Sequence, residues 1–328
     1  MAKYTLIVAL AFTLVVPFAG CSSGPPAQDS TPQEETSLIR FEYARVMMGS
    51  KARIVLYQEY EHQAAAKASL AFDEIQHLND VLSDYDPNSE AMLLISRPSN
   101  QWHSVSEDLS DVLLKSARVW VASGGAFDPT IGPVIQVWRD AVTTGELPAT
   151  RILRVARSHV GMNLIEIDKQ ESAVRLATEG MRLDFGGIGK GYAAGRALEI
   201  LQGLDAPCAM VDLGGDLAIG NAPPETDGWV VTIDTGIDNP KELTLTNCGV
   251  ATSGDLYRFI EIDGNRFSHI VDPRTGQGLT TRIAVTVVAD EPWLADALAS
   301  AYSVIGNDQA DGLRDAFPDA RVFIQTAE

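Results

Sequence analysis

The run from His269 to Gly276, HIVDPRTG, puts a titratable base, a carboxylate, a rigid turn and a guanidinium within one short segment. An imidazole titrates close enough to neutrality to take the proton of an attacking hydroxyl. A guanidinium can fork onto a phosphate or a carboxylate. Phe267, His269 and Val271 alternate with Ser268, Ile270 and Asp272, which predicts a strand with His269 near its end. Asp272-Pro273-Arg274-Thr275 then forms a turn with Arg274 at its tip, and Asp272 can accept from backbone N–H groups ahead of it. A hairpin corner with a polar surface accounts for the same run equally well. Its chemistry therefore depends on what else the fold brings beside it.

LDFGGIGKGYAAG, Leu183 to Gly195, runs from a strand end through a glycine-rich loop into a helix, a geometry that can aim backbone N–H groups at a pyrophosphate. It is not a P-loop, because Gly191 follows Lys190 where Ser or Thr is needed, and Gly189, Gly191 and Ala194 meet the dinucleotide fingerprint only loosely. A tight turn explains the glycines. It does not explain Asp184 and Lys190 on either side of them. In ADALAS, Ala295 to Ser300, the acid Asp296 and the hydroxyl of Ser300 stand one helical turn apart and can share a hard cation such as Mg²⁺. An Asp near a helix start and a Ser bonded back to a carbonyl are the plainer alternative. GAFDPT (Gly125 to Thr130), VDLGGD (Val211 to Asp216) and TSGDLYR (Thr252 to Arg258) are further loops where glycine and acid meet, and Met48 and Tyr85 offer a thioether and an aromatic face to a ring system.

The elements that must position these residues are legible in part. Helices are predicted over 63–82, 109–123, 190–201 and 293–305, the last stopped by Gly306. Strands are predicted over 53–57, 209–212, 229–234, 243–245, 258–262 and 283–288, with short ones between 165 and 183. Strands follow one another hairpin-fashion more than they alternate with helices, so the fold class is α+β with mixed, largely antiparallel sheets.

The N-terminus carries Lys3, an apolar run from Leu6 to Phe18, then Ala19 and Gly20 before Cys21, the pattern of a secretory signal (1–20) with a lipoprotein cleavage site. Cys21 is expected to be the lipidated first residue of an exported, periplasm-facing, membrane-anchored chain. Residues 21–37 read as a polar, Pro- and Ser-rich tether, and 38–328 as the functional domain. A formal charge of −19 excludes nucleic acid as a partner, so an anionic substrate must be met by local cations or metal. Cys208 and Cys248 could pair or remain buried thiols.

Taken in order, MGS, SDYDPNSE, GAFDPTIGP, LDFGGIGKGYA, VDLGGD, ATSGD, HIVDPRTG and ADALAS resemble the ApbE family of bacterial FAD:protein FMN transferases over nearly all of the chain beyond the tether. The resemblance implies one two-lobed flavin-transferase domain that cuts FAD at its pyrophosphate. With Mg²⁺, the FMN half passes to a Thr or Ser hydroxyl of an acceptor protein and AMP is released. It places Met48, Tyr85, Ala126, Phe127, Asp128, Asp184, Lys190 and Ile270 on FAD. It places Gly187 through its carbonyl, Asp296 and Ser300 on the metal, with Ala299 as a further carbonyl, and makes His269 the base. Redox-pump subunits are the implied acceptors. Hydrolysis of FAD to FMN and AMP, or a non-catalytic flavin-binding lipoprotein, are the alternatives. Two residues depart from the family pattern: Ser300 stands where Thr is usual, and Gly195 where Asp is frequent.

Overall fold

Residues 37–233, 240–254, 259–262 and 264–327 are described by the computed structural model. The signal, Cys21 and the tether up to residue 36 lie outside these residues, as do the predicted strand ends at Asp234 and Arg258.

A hairpin comes first. β1 (Ile39–Met47) returns as β2 (Ser50–Gln58) through Met48 and Gly49, whose φ values of +48° and +68° suit a tight turn matched to strand twist. The long helix α1 (Glu61–Leu82) buries Ala68, Phe72, Ile75 and Leu78 at helical spacing. Ser89 caps α2 (Glu90–Ile95) by accepting from the N–H of Met92, and β3 (Trp102–Ser104) follows. Ser106 caps α3 (Glu107–Ala122) through the N–H of Leu109. The next helix, α4 (Gly132–Thr144), has Pro133 in its first turn and ends at Gly145 in the left-handed region; α5 (Thr150–Arg157) follows it. The strands β4 (Ile165–Asp168) and β5 (Ala173–Leu176) join β3 in a small sheet.

The glycine-rich segment opens α6 (Gly189–Gly203), which leads into β6 (Ala209–Leu213) and β7 (Asp216–Ile219). A separate hairpin, β8 (Trp229–Ile233) with β9 (Lys241–Leu245), precedes β10 (Cys248–Gly254). Two short ladders come next, β11 (Phe259–Ile262) on β12 (Asn265–Ser268) and β13 (Val271–Asp272) on β14 (Gln277–Gly278). The chain closes with β15 (Arg282–Ala289), α7 (Pro292–Ile305), α8 (Asp311–Ala316) and β16 (Arg321–Ala327).

The main sheet has the order β1-β2-β6-β7-β10-β15-β16 with every ladder antiparallel, as the α+β expectation required. One face, with Ile54, Leu56, Val211, Val285 and Val287, packs against α1, α6 and α7. Val55, Met210, Ile219, Val250 and Val288 on the other face meet Trp229 and Leu245 of the β8–β9 hairpin. A third cluster joins Val134, Trp138 and Leu153 of α4 and α5 to Ile262 and Val271. No helix among the described residues is long and apolar enough to cross a membrane.

The expected strand over 267–272 is interrupted. Ser268 N–H donates to the carbonyl of Leu279 at 2.7 Å, and Leu279 N–H donates to the carbonyl of Ile270 at 3.0 Å. Both neighbours of His269 are thus bonded to one residue, and His269 is the extra residue of a bulge-like break. Cys208 and Cys248 are both free thiols.

Candidate active site

The N-terminus of α6 is where the predicted chemistry meets. Its N-cap residue, Ile188, offers no side-chain cap; the carboxylate of Asp296 on α7 supplies one instead, its Oδ2 accepting from the N–H of Gly191 at 2.9 Å. Close approach of the two helices depends on glycine, because a Cβ at Gly191 would lie 2.4 Å from the Pro292 carbonyl oxygen and 2.7 Å from Asp296 Cβ. Gly187 is pressed the same way, with its absent Cβ 2.7 Å from Ser300 Oγ. The glycine-rich loop therefore lies directly on the Asp296–Ser300 face of α7.

Asp296 is 4% exposed, and its Oδ1 takes no hydrogen bond from the described residues. Ser300 is not bonded back to a helix carbonyl; Ser303 makes that bond instead, donating to the carbonyl of Ala299 at 2.8 Å. The hydroxyl of Ser300 is therefore available, while the Ala299 carbonyl is already engaged. Lys190 forms an ion pair with Asp216 at the β6–β7 turn. Asp216 is 2% exposed, and burial together with the neighbouring Asp296 charge pushes its carboxyl up to about 7. Asp296 is also raised, chiefly by burial. Two buried carboxylates share one ammonium.

That excess of negative charge, with a hydroxyl and a loop backbone alongside, fits an oxygen-ligand cation. Magnesium takes one or two carboxylates and completes its shell with waters and substrate phosphates. Among the described residues no group of three or more His, Cys, Asp or Glu side chains could by itself hold a metal, so a cation here would depend on non-acidic oxygens. Asp216 was a turn residue in the sequence; its ion pair with Lys190 is long-range, and only its Gly-Gly-Asp setting signalled it.

A second cluster lies at the other end of the glycine-rich segment. Asp184 Oδ1 accepts from the N–H of Gly186 at 2.8 Å, and its own N–H donates to the carbonyl of Pro129 at 2.7 Å, seating the GAFDPT loop on it. Burial and the Asp84 charge raise the Asp184 carboxyl. Arg139 of α4 bonds Asp84 at 2.6 Å, stands 3.7 Å from Asp184, and places its guanidinium 4.3 Å from the Tyr85 ring centre. Asp128 is turned inward: one oxygen accepts from both the N–H and the hydroxyl of Thr130, at 2.8 and 2.5 Å. Its carboxyl is raised by burial, and its bonds to Thr130 shape the loop. Ala126 and Phe127 are buried, and the absent Cβ of Gly187 lies 3.4 Å from the Phe127 ring. Met48, in the β1–β2 turn, extends its methyl to 3.9 Å from the absent Cβ of Gly189. These residues gather around the glycine-rich loop.

His269 is exposed in its strand break, with Ile270 held by the hydroxyl of Ser268 at 3.0 Å. Arg274 does not reach outward from the turn. It forks back onto Asp272 at 2.9 and 3.0 Å, because the carboxylate two residues earlier is the nearest anion and the turn points both side chains the same way. Trp138 fixes the turn further by donating to the Gly276 carbonyl at 2.9 Å.

A glycine-rich helix start, a lysine and buried acids with an available hydroxyl fit the needs of phosphoryl chemistry. Residues 48–324 match the ApbE family, and the chain belongs to it. It is 30% identical to the FAD:protein FMN transferase of Treponema pallidum (strain Nichols), over 84% of this chain and 83% of that one. Against the FAD:protein FMN transferase of Escherichia coli (strain K12) the identity is 25%, over 94% and 88%. The crystal structure of the ApbE protein from Thermotoga maritima superposes with a TM-score of 0.77 at 28% identity, covering 88% of this chain and 97% of that one. The flavin transferase ApbE from Vibrio cholerae shares the fold, with a TM-score of 0.78 at 22% identity over 88% and 93%.

Proposed function

We propose that this chain is an FAD:protein FMN transferase. The acceptor hydroxyl loses its proton to His269 and attacks the FMN phosphorus of FAD. A new ester P–O bond forms, the pyrophosphate P–O bond breaks, and AMP leaves with the bridging oxygen. The observation that carries this reading is the seating of the glycine-rich loop on the Asp296–Ser300 face of α7, with Lys190 at the helix start. Such a transfer calls for charge neutralisation and alignment more than covalent help. The dipole of α6 favours the pyrophosphate at its N-terminus, and Lys190 adds a cation in an otherwise acidic chain.

Asp296, Ser300 and the Gly187 carbonyl would hold Mg²⁺, which supplies Lewis-acid stabilisation of developing phosphate charge. Tyr85, Met48, Phe127, Asp184 and Ile270 bound the flavin and nucleotide. His269 is exposed at a break in its strand, where a macromolecular acceptor can approach it. The acceptor carries a Ser or Thr in a short flavinylation motif, with redox-pump subunits as the leading class. Lipidation at Cys21 and the polar tether would hold the enzyme on the membrane, facing an exported acceptor.

Mass spectrometry of an acceptor fragment incubated with the protein, FAD and Mg²⁺ tests the reading. A metal-dependent gain of one FMN is expected, lost in Asp296→Ala. His269→Ala should bind FAD yet lose about 10²-fold or more in flavinylation rate, the usual contribution of general-base catalysis. Free FMN and AMP with an unmodified fragment would make it a hydrolase, and uncleaved FAD a binding protein.

A further inference from the structure

Arg139 stands on α4, in a stretch with no chemical motif of its own, yet three groups from two other segments converge on its guanidinium. It bonds Asp84 at 2.6 Å and stands 3.7 Å from Asp184. It also lies 4.3 Å from the centre of the Tyr85 ring. The two carboxylates are largely buried, at 16% and 15% side-chain exposure, whereas Tyr85 is 77% exposed. Like charges that close repel, and without a cation between them the loop after α1 and the glycine-rich segment would be driven apart. An exposed tyrosine on a turn also has several rotamers open to it. A guanidinium under one ring face removes that freedom, because a planar cation both forks onto carboxylates and stacks on aromatic rings.

We infer that Arg139 is a positioning residue for the flavin: it ties Asp84 to Asp184 and underlies Tyr85, so that the outer face of the ring stands ready as a stacking platform. The inference rests on the reading of FAD as substrate. Arg139 acts through Tyr85 and the two acids, and takes no part in bond making.

The test is titration of FAD into the full-length protein without acceptor, followed by quenching of flavin fluorescence, for wild type, Arg139→Met, Tyr85→Ala and the double variant. Arg139→Met should weaken FAD binding about fivefold, the upper range for an exposed cation–ring contact, with shallower quenching. In the Tyr85→Ala background the same change should cost less than about twofold, since contacting residues are not additive. Arg139→Lys keeps a charge between the acids and should restore the melting temperature without restoring the quench, which separates ring positioning from folding. In turnover, KM for FAD should rise while kcat changes little. Binding by Arg139→Met within about twofold of wild type would overturn the inference, as would a full multiplicative loss on top of Tyr85→Ala. Wild-type protein that does not bind FAD would remove its premise, and with it the functional reading.

Discussion

One ammonium, Lys190, faces two buried carboxylates, Asp216 and Asp296, and cannot neutralise both. The consequence is a pH dependence with a definite sign. A carboxyl whose folded pKa is raised, here Asp216 from 3.8 to about 7, takes up a proton on folding at any pH between those values. Its contribution to stability therefore declines as pH rises through that window. Thermal melts of the metal-free protein should show a shallower slope between these limits in Asp216→Asn than in wild type. An equal slope would show that Asp216 is ionised throughout. Added Mg²⁺ should raise the melting temperature above the window more than below it, since a cation binds the ionised acids.

At the scale of elements, Pro292 at the start of α7 is gripped by glycines. A Cβ at Gly249 of β10 would lie 2.3 Å from Pro292 Cα, and one at Gly191 of α6 would lie 2.4 Å from its carbonyl oxygen. Gly191→Ala should thus cost about 1–3 kcal/mol by overpacking, and should also weaken Mg²⁺ binding by displacing Asp296. Gly195, one turn further along α6, is different: a Cβ there would stand 3.4 Å or more from the Pro292 ring, near ordinary contact. Gly195→Ala should be neutral or stabilising by up to about 1 kcal/mol, the helix-propensity difference. Urea midpoints of the two variants measure the contrast, and an equal stabilisation of both would mean that propensity, not fit, governs this helix pair.

For the whole molecule, all three hydrophobic clusters lie within residues 37–328, which form one compact unit. Removing residues 1–36 should therefore leave the melting temperature and FAD affinity within error of the full chain. In cells, Cys21→Ser should move the protein from the membrane fraction to the soluble one under the proposal that a diacylated Cys21 is the anchor. Retention of the variant on the membrane would sink the tether proposal. A chain of net charge −19 also repels acidic acceptors, so productive encounter should quicken with salt when the acceptor is acidic.

Local pattern was enough for much of this protein. Helical periodicity marked α1, α3, α6 and α7 to within a few residues, and hairpin-like succession marked an antiparallel α+β fold, because both signals come from residues close in the chain. The ordered loop motifs also located the glycine-rich segment and the Asp296–Ser300 pair. Helices α4 and α5 were not legible: Pro133 opens the first as if it were loop, and the second is short and arginine-rich. The break at His269 likewise follows from bonds to Leu279, outside any local window. Arg274 turning onto Asp272, Lys190 onto Asp216 and Arg139 beneath Tyr85 needed the folded chain. A side chain's type states which partners it accepts, but which of many acids an arginine or lysine meets is set by packing between elements far apart in sequence.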